Sequence, residues 1–63
     1  MTAPYDIDTM DALIKQLRQC AERLLDVGQD IEAVKRNVDR ILSSVRMLEL
    51  NISDVKTLLS REA

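Results

Sequence analysis

The fold is decided by residues 10–59, which read MDALIKQLRQCAERLLDVGQDIEAVKRNVDRILSSVRMLELNISDVKTLL. Apolar residues recur along this stretch at alternating spacings of three and four residues, without a slip. This is the heptad pattern of a coiled coil, in which the a and d positions of each seven-residue repeat face a partner helix. The predicted oligomer core consists of Met10, Leu13, Leu17, Cys20, Leu24, Val27, Ile31, Val34, Val38, Ile41, Val45, Leu48, Ile52, Val55 and Leu59.

The unbroken repeat predicts a single long helix in an all-α chain. A period of about 3.5 residues, sustained along the whole stretch, is typical of a left-handed supercoil. We therefore expect an N-terminal cap or flexible lead at residues 1–7, a coiled-coil oligomerisation helix at residues 8–61 and a short tail at residues 62–63. Asp8 or Thr9 is expected to cap the first turn. At 1.5 Å per residue, the helix would be about 80 Å long.

Gly28 points to an alternative fold. Glycine inside a helix costs about 1 kcal/mol, so residues 26–30 could instead form a turn that joins two antiparallel helices. Two observations favour the continuous helix. The heptad phase passes through Gly28 unchanged, and Gln29 offers no hydrophobic contact for a C-terminal cap of the Schellman type. A helical hairpin with its turn at Gly28 remains the alternative.

The flanks of the stripe indicate how many helices assemble. Ile14, Ala21, Leu42 and Leu58 lie at e and g positions and widen the apolar stripe beyond a two-stranded seam. The mixture of Leu, Ile and Val at a and d is also not the arrangement that favours dimers. A parallel trimer or tetramer is therefore favoured over a dimer, and the chain is expected to be a homo-oligomer of three or four copies.

The length of the chain agrees with a shared core. A chain of 63 residues is too short to enclose a sizeable core of its own, and small domains compensate with metals, disulfides or association. One cysteine and no histidine make the first two remedies improbable here. Association with other helices is the remedy that is left.

Composition also argues against several functional classes. The formal net charge of −2 is unlike that of a nucleic-acid-binding surface, so nucleic acid is an unlikely partner. No apolar run is long enough to cross a membrane, and the first residues do not resemble a signal peptide. These features predict a cytoplasmic or otherwise intracellular protein without a membrane span.

The sequence lacks the combinations of residues that catalysis usually requires. The sequence has no histidine, no glycine-rich phosphate loop, no ligands at metal-binding spacing and no nucleophile with an evident base. We therefore expect no enzyme activity, no small-molecule substrate, no cofactor and no metal.

Three residues could do more than fill the core. Cys20 at a d position is expected to pack as a small hydrophobic residue, or to form an interchain disulfide if the helices are parallel and in register. Met47 and Leu50 lie outside the stripe and are neighbours on the outer surface of the helix. They are either isolated exposed residues or a patch that docks a partner helix.

The stretch from Asn37 to Val55 resembles the heptads of the small heat shock factor binding proteins, which are short trimeric coiled coils that associate with larger machinery. The resemblance covers about a third of the chain and implies a trimeric coiled coil. The glutamine-rich first half typical of that family is not present here, so its partner is not transferred to this chain.

Two functions follow from these features. The first is a non-enzymatic coiled-coil oligomerisation or scaffolding module, which multimerises attached or bound partners through protein–protein interactions. The alternative is an adaptor subunit that contributes one helix to a heteromeric complex, such as a transport, cytoskeletal or transcription-regulatory assembly.

Overall fold

The computed structural model describes residues 6–62, with side chains described as far as Leu59. The backbone in this range forms two α-helices, α1 at Ile7–Gly28 and α2 at Glu32–Glu62, joined by residues 29–31. There is no strand within residues 6–62, so this part of the chain is all-helical, as predicted. Most of the expected lead, residues 1–5, and the last residue of the tail lie outside the described residues.

Helix α1 begins with an aspartate cap. One carboxylate oxygen of Asp6 accepts a hydrogen bond from the backbone N–H of Thr9 at 3.0 Å, and the other accepts one from the Thr9 hydroxyl at 2.6 Å. These bonds from Thr9 lower the pKa of Asp6, because they favour its ionised form. The expected cap at Asp8 or Thr9 was therefore wrong. Asp8 lies in the first turn, where its charge suits the helix dipole, and Thr9 is a hydrogen-bond donor to the cap.

The continuous helix expected over residues 8–61 was also wrong, because the chain turns back at residues 29–31. The N–H of Ile31 donates to the carbonyl of Gly28 at 3.0 Å, which closes a tight turn, and the N–H of Lys35 donates to the carbonyl of Ile31 at 3.1 Å, which opens α2. The molecule is 49 Å long, whereas a continuous helix would reach about 80 Å. The two helices fit the hairpin alternative.

The heptad phase did not reveal this turn for a physical reason. The spacing of apolar residues in a sequence records only their positions along the chain, and a three-residue turn can preserve that count by chance. Folding back also allows α1 and α2 to cover part of each other's apolar surface, which a single isolated helix cannot do. Gly28 and Asp30 are weak helix formers, so interrupting the helix at this point loses little helix propensity.

Salt bridges between the helices show that α1 and α2 run antiparallel. The guanidinium of Arg18 bonds both carboxylate oxygens of Glu49, at 2.7 and 2.8 Å. Asp11 lies one heptad before Arg18 on α1, and Lys56 lies one heptad after Glu49 on α2. The ammonium of Lys56 donates a hydrogen bond to the carboxylate of Asp11 at 3.1 Å. Two pairs in the same register fix the alignment of the hairpin.

The core of the hairpin is narrow and consists of small and β-branched side chains. Ile14 and Ala21 are the buried residues of α1, and Val38 and Val45 are those of α2 among the described side chains. Val38 is the most deeply buried, at 1% exposure. Ala21 and Gly28 have little or no side chain, which lets the two helices approach closely near the turn.

Gly28 faces Val34 across the turn, and this contact predicts the effect of adding a methyl group. A Cβ placed on Gly28 would lie 2.8 Å from Cγ1 of Val34, which is too close for two carbon atoms. We expect Gly28→Ala to lower the free energy of unfolding by about 1 kcal/mol, because the clash outweighs the better helix propensity of alanine. Urea denaturation followed by circular dichroism at 222 nm measures the change.

The Val34→Ala variant supplies the control for this prediction. In the Val34→Ala background the clash is removed, so Gly28→Ala should become neutral or stabilising. A continuous helix predicts a different result, since alanine at an exposed e position would then stabilise the wild-type chain by about 1 kcal/mol.

Candidate functional site: an uncovered apolar face

Helix α1 packs against α2 through a different line of residues from the heptad stripe. The least exposed residues of α1 are spaced alternately by four and three positions, so they form one line along the helix. They include Ile7, Asp11, Ile14, Arg18 and Ala21. The a and d side chains of α1 lie beside this line and remain exposed, from 38% for Met10 to 74% for Val27. Within one chain, the α1 part of the predicted oligomer core therefore has no covering helix.

The exposed apolar residues of both helices lie on the same side of the hairpin. On α1 the a and d stripe is rotated by about 100° from the line that packs on α2, as follows from 3.6 residues per turn. On α2, Ile41 and Leu48 are rotated in the same sense by about 60° from the residues that pack on α1. Because the helices are antiparallel, both rotations lead to one side. We call this surface the apolar face; it comprises Met10, Leu13, Leu17, Cys20, Leu24, Val27, Ile41 and Leu48.

Charged groups between the helices lie on the other side of the interface. Arg18 and Glu49 form the bidentate pair, and Asp11 bonds Lys56, in both cases at positions rotated away from the apolar face. The eight residues of the apolar face include no charged side chain. The apolar face thus lies on the opposite side of the helix interface from the interhelical ion pairs.

The ion pairs shift the pKa of their members. The hydrogen bond from Arg18 lowers the pKa of Glu49, and the bond from Lys56, followed by that from Lys15, lowers the pKa of Asp11. Hydrogen bonding to Glu49 raises the pKa of Arg18. These hydrogen bonds favour the charged forms, so Asp11, Glu49 and Arg18 are ionised at neutral pH.

Acidification is expected to weaken the hairpin through these carboxylates. Their pKa values are lower in the folded chain than in the unfolded chain, so their contribution is present above the ordinary carboxylate pKa and is lost as the pH falls through the folded value. The thermal midpoint, followed at 222 nm, should therefore drop as the pH decreases below about 4.3, the ordinary pKa of glutamate. Glu49→Gln should flatten this drop, whereas the same substitution at the more exposed Glu32 should not. An identical pH profile for Glu49→Gln and wild type would contradict the prediction.

The remaining members of the predicted oligomer core occupy three kinds of environment in one chain. Val38 and Val45 are buried against α1, and Val34, Ile52 and Val55 are half-buried. Ile31 lies in the turn and is exposed, and so is Leu59 near the end of α2. Association of chains through these residues stays a prediction.

Sequence reasoning missed the surface that α1 turns towards α2. Ile14 and Ala21 were interpreted as flanks of the stripe, whereas they are the buried residues of α1. A second apolar line, with Ile7, Ile14, Ala21 and Gly28 one heptad apart, was the signal that could have revealed them. The Arg18–Glu49 pair could not be found without the turn, since these residues are 31 positions apart.

Two further surface features of the hairpin bear on binding. Leu13, Gln16, Leu17 and Cys20 line a shallow, largely apolar groove on α1, and the Cys20 thiol is free and exposed. Met47 and Leu50 are exposed on the outer surface of α2, away from the apolar face, as the sequence indicated.

The described part of the chain also bears on metal binding and on membrane insertion. The side chains of residues 6–59 include no group of three or more His, Cys, Asp or Glu placed to hold a metal ion. Neither α1 nor α2, over the residues described, is both long enough and apolar enough to cross a membrane.

Comparison with known proteins identified no similar protein. No protein-family model matches the chain, and no curated protein and no solved structure matches it either. Functional inference therefore rests on the geometry and chemistry of the hairpin.

Proposed function

We propose that this chain is a non-enzymatic helical assembly module, which associates with other helices through its apolar face and multimerises whatever is attached or bound to it. The observation that carries the proposal is the uncovered α1 stripe. Leu13, Leu17 and Leu24 are each about half exposed, although the heptad pattern is the signature of side chains that pack against a partner helix.

The energetics of the face support association. Full burial of a large aliphatic side chain contributes about 1.5–3 kcal/mol, so covering a half-exposed leucine contributes on the order of 1 kcal/mol. Several such residues lie side by side with no charge among them, and exposed apolar surfaces of this continuity are typical of interaction sites. The four residues that are buried among the described side chains form a small core, so association would also stabilise the fold.

An adaptor subunit in a heteromeric helical complex is the second candidate. It is favoured by Met47 and Leu50, which are 58% and 49% exposed on the outer surface of α2. A partner that binds there would not compete with one on the apolar face.

Assembly in cells tests the proposed function without assuming a partner. The chain is fused to a monomeric fluorescent protein, and the mass of the fusion is measured in cell extract by fluorescence-detected sedimentation. We expect the fusion to sediment well above its own mass, and the variant with Leu17→Glu and Leu24→Glu to sediment at its own mass. Sedimentation of both proteins at their own mass would contradict the proposal.

A further inference from the structure

We infer that the occupant of the apolar face is a second copy of this chain, so that two hairpins pack face to face as a four-helix bundle. This inference rests on the proposed function, because it names the partner of the same face. Three observations support it: the charge of the face, the size of the hairpin and the number of helices that the sequence pattern favours.

The charge distribution suits self-association. In a two-fold dimer the same surface meets itself, so any charged residue near the axis would face a charge of the same sign. The apolar face carries none, whereas the opposite side of the helix interface carries Arg18, Glu49, Asp11 and Lys56. A face without charge also has nothing with which to select an oppositely charged partner.

The hairpin is large enough to offer a dimer interface. It extends 49 Å by 15 Å by 14 Å, so one side has a projected area on the order of 700 Å², and a standard interface buries about 800 Å² per partner. The chain exposes 5283 Å², more than the about 4,100 Å² of a compact monomer of 7.2 kDa, because two helices side by side enclose little of their own surface.

The number of helices agrees with the width of the apolar stripe. The sequence favoured three or four parallel helices around one core, one from each chain. Because each hairpin supplies two antiparallel helices, two chains instead of four complete a four-helix bundle. The outer border of the α2 side carries short uncharged residues, Asn37, Ser44 and Asn51, which suit the rim of such an interface.

Mass measurement with matched leucine variants tests the inference. Leu17 and Leu50 are the same residue type and are equally exposed, at 49% each, but only Leu17 belongs to the apolar face. Sedimentation equilibrium of the purified full chain should show twice the chain mass at high concentration. We expect Leu17→Glu to raise the dissociation constant about 100-fold or more, because a charge would be buried without a partner, and Leu50→Glu to leave it unchanged. Equal effects of the two variants would overturn the inference.

Reactivity of the Cys20 thiol provides a second readout that does not depend on a variant folding. The thiol is exposed in the single hairpin and would be covered in the dimer. Its reaction rate with a chromogenic disulfide reagent should therefore fall over the same concentration range in which the mass doubles. The control thiol is introduced by Ser43→Cys on the far side of α2, in a chain that keeps Cys20. Mass spectrometry of peptides after labelling separates the two thiols, and the introduced thiol should react at a constant rate. A Cys20 rate that does not depend on concentration would overturn the inference.

The outcomes separate this inference from the proposed function. If the purified chain is a monomer at all concentrations while the fusion still assembles in extract through Leu17 and Leu24, the second copy is wrong and the assembly module stands. If neither the purified chain nor the fusion assembles, both are wrong.

Discussion

Val38→Asp is expected to unfold the chain, with a loss of more than about 4 kcal/mol in the free energy of unfolding. Val38 is 1% exposed and lies in the narrow core between α1 and α2, where a carboxylate would have neither water nor a partner. Circular dichroism at 222 nm should show little helix at neutral pH. Partial recovery of the helical signal below about pH 4 is expected, because protonation removes the buried charge.

Val27→Asp is the matched control for this substitution. Both valines belong to the heptad stripe, but Val27 is 74% exposed next to the turn. At a protein concentration low enough for the chain to be monomeric, where the apolar face is uncovered, we expect Val27→Asp to change the free energy of unfolding by less than about 1 kcal/mol. Comparable losses at the two sites under that condition would contradict the hairpin, in which only Val38 is buried within one chain.

Ala21→Leu is expected to lower the free energy of unfolding by about 2–3 kcal/mol. Ala21 is 5% exposed, and its small side chain sets how closely α1 approaches α2. A leucine would force the helices apart and disturb the Arg18–Glu49 pair one turn away. The change is measured by urea denaturation at a fixed protein concentration, since association contributes to stability.

Ala12→Leu controls for the general effect of adding a leucine to α1. Ala12 is exposed, away from both the core and the apolar face, so this substitution should be close to neutral. In a continuous coiled coil, residue 21 would be a flanking e position, and leucine there would widen the apolar stripe and increase stability. A stabilising effect of Ala21→Leu would therefore contradict the hairpin.

Sequence reasoning predicted the helical class correctly because periodicity is a local property of the chain. Apolar residues spaced by three or four positions lie on one face of a helix, so the sequence alone shows which face is apolar. The same periodicity assigned Leu13, Leu17 and Leu24 to the predicted oligomer core; they are exposed in the single hairpin, and their packing against a partner stays a prediction. Met47 and Leu50 are also exposed, and docking of a partner helix there stays a prediction.

The turn and the α1 interface could not be predicted from periodicity, because they depend on a balance between two free energies. The break at Gly28 sets about 1 kcal/mol of helix propensity against the apolar surface that α1 and α2 cover when they meet. Ile14 and Ala21 became the core only because the chain folds back, so their role follows from the turn. The register set by Asp11 with Lys56 and Arg18 with Glu49 follows from it too.

The distance between the two helices within one chain tests the hairpin most directly. Spin labels are placed at Ala12 and Thr57, both exposed, in a chain with Cys20→Val, and the labelled chain is diluted with an excess of unlabelled chain so that only intrachain pairs are measured. The hairpin predicts backbones separated by about 8–10 Å, the distance between packed helix axes. A distance of about 68 Å, the rise of 45 residues in one continuous helix, would contradict it.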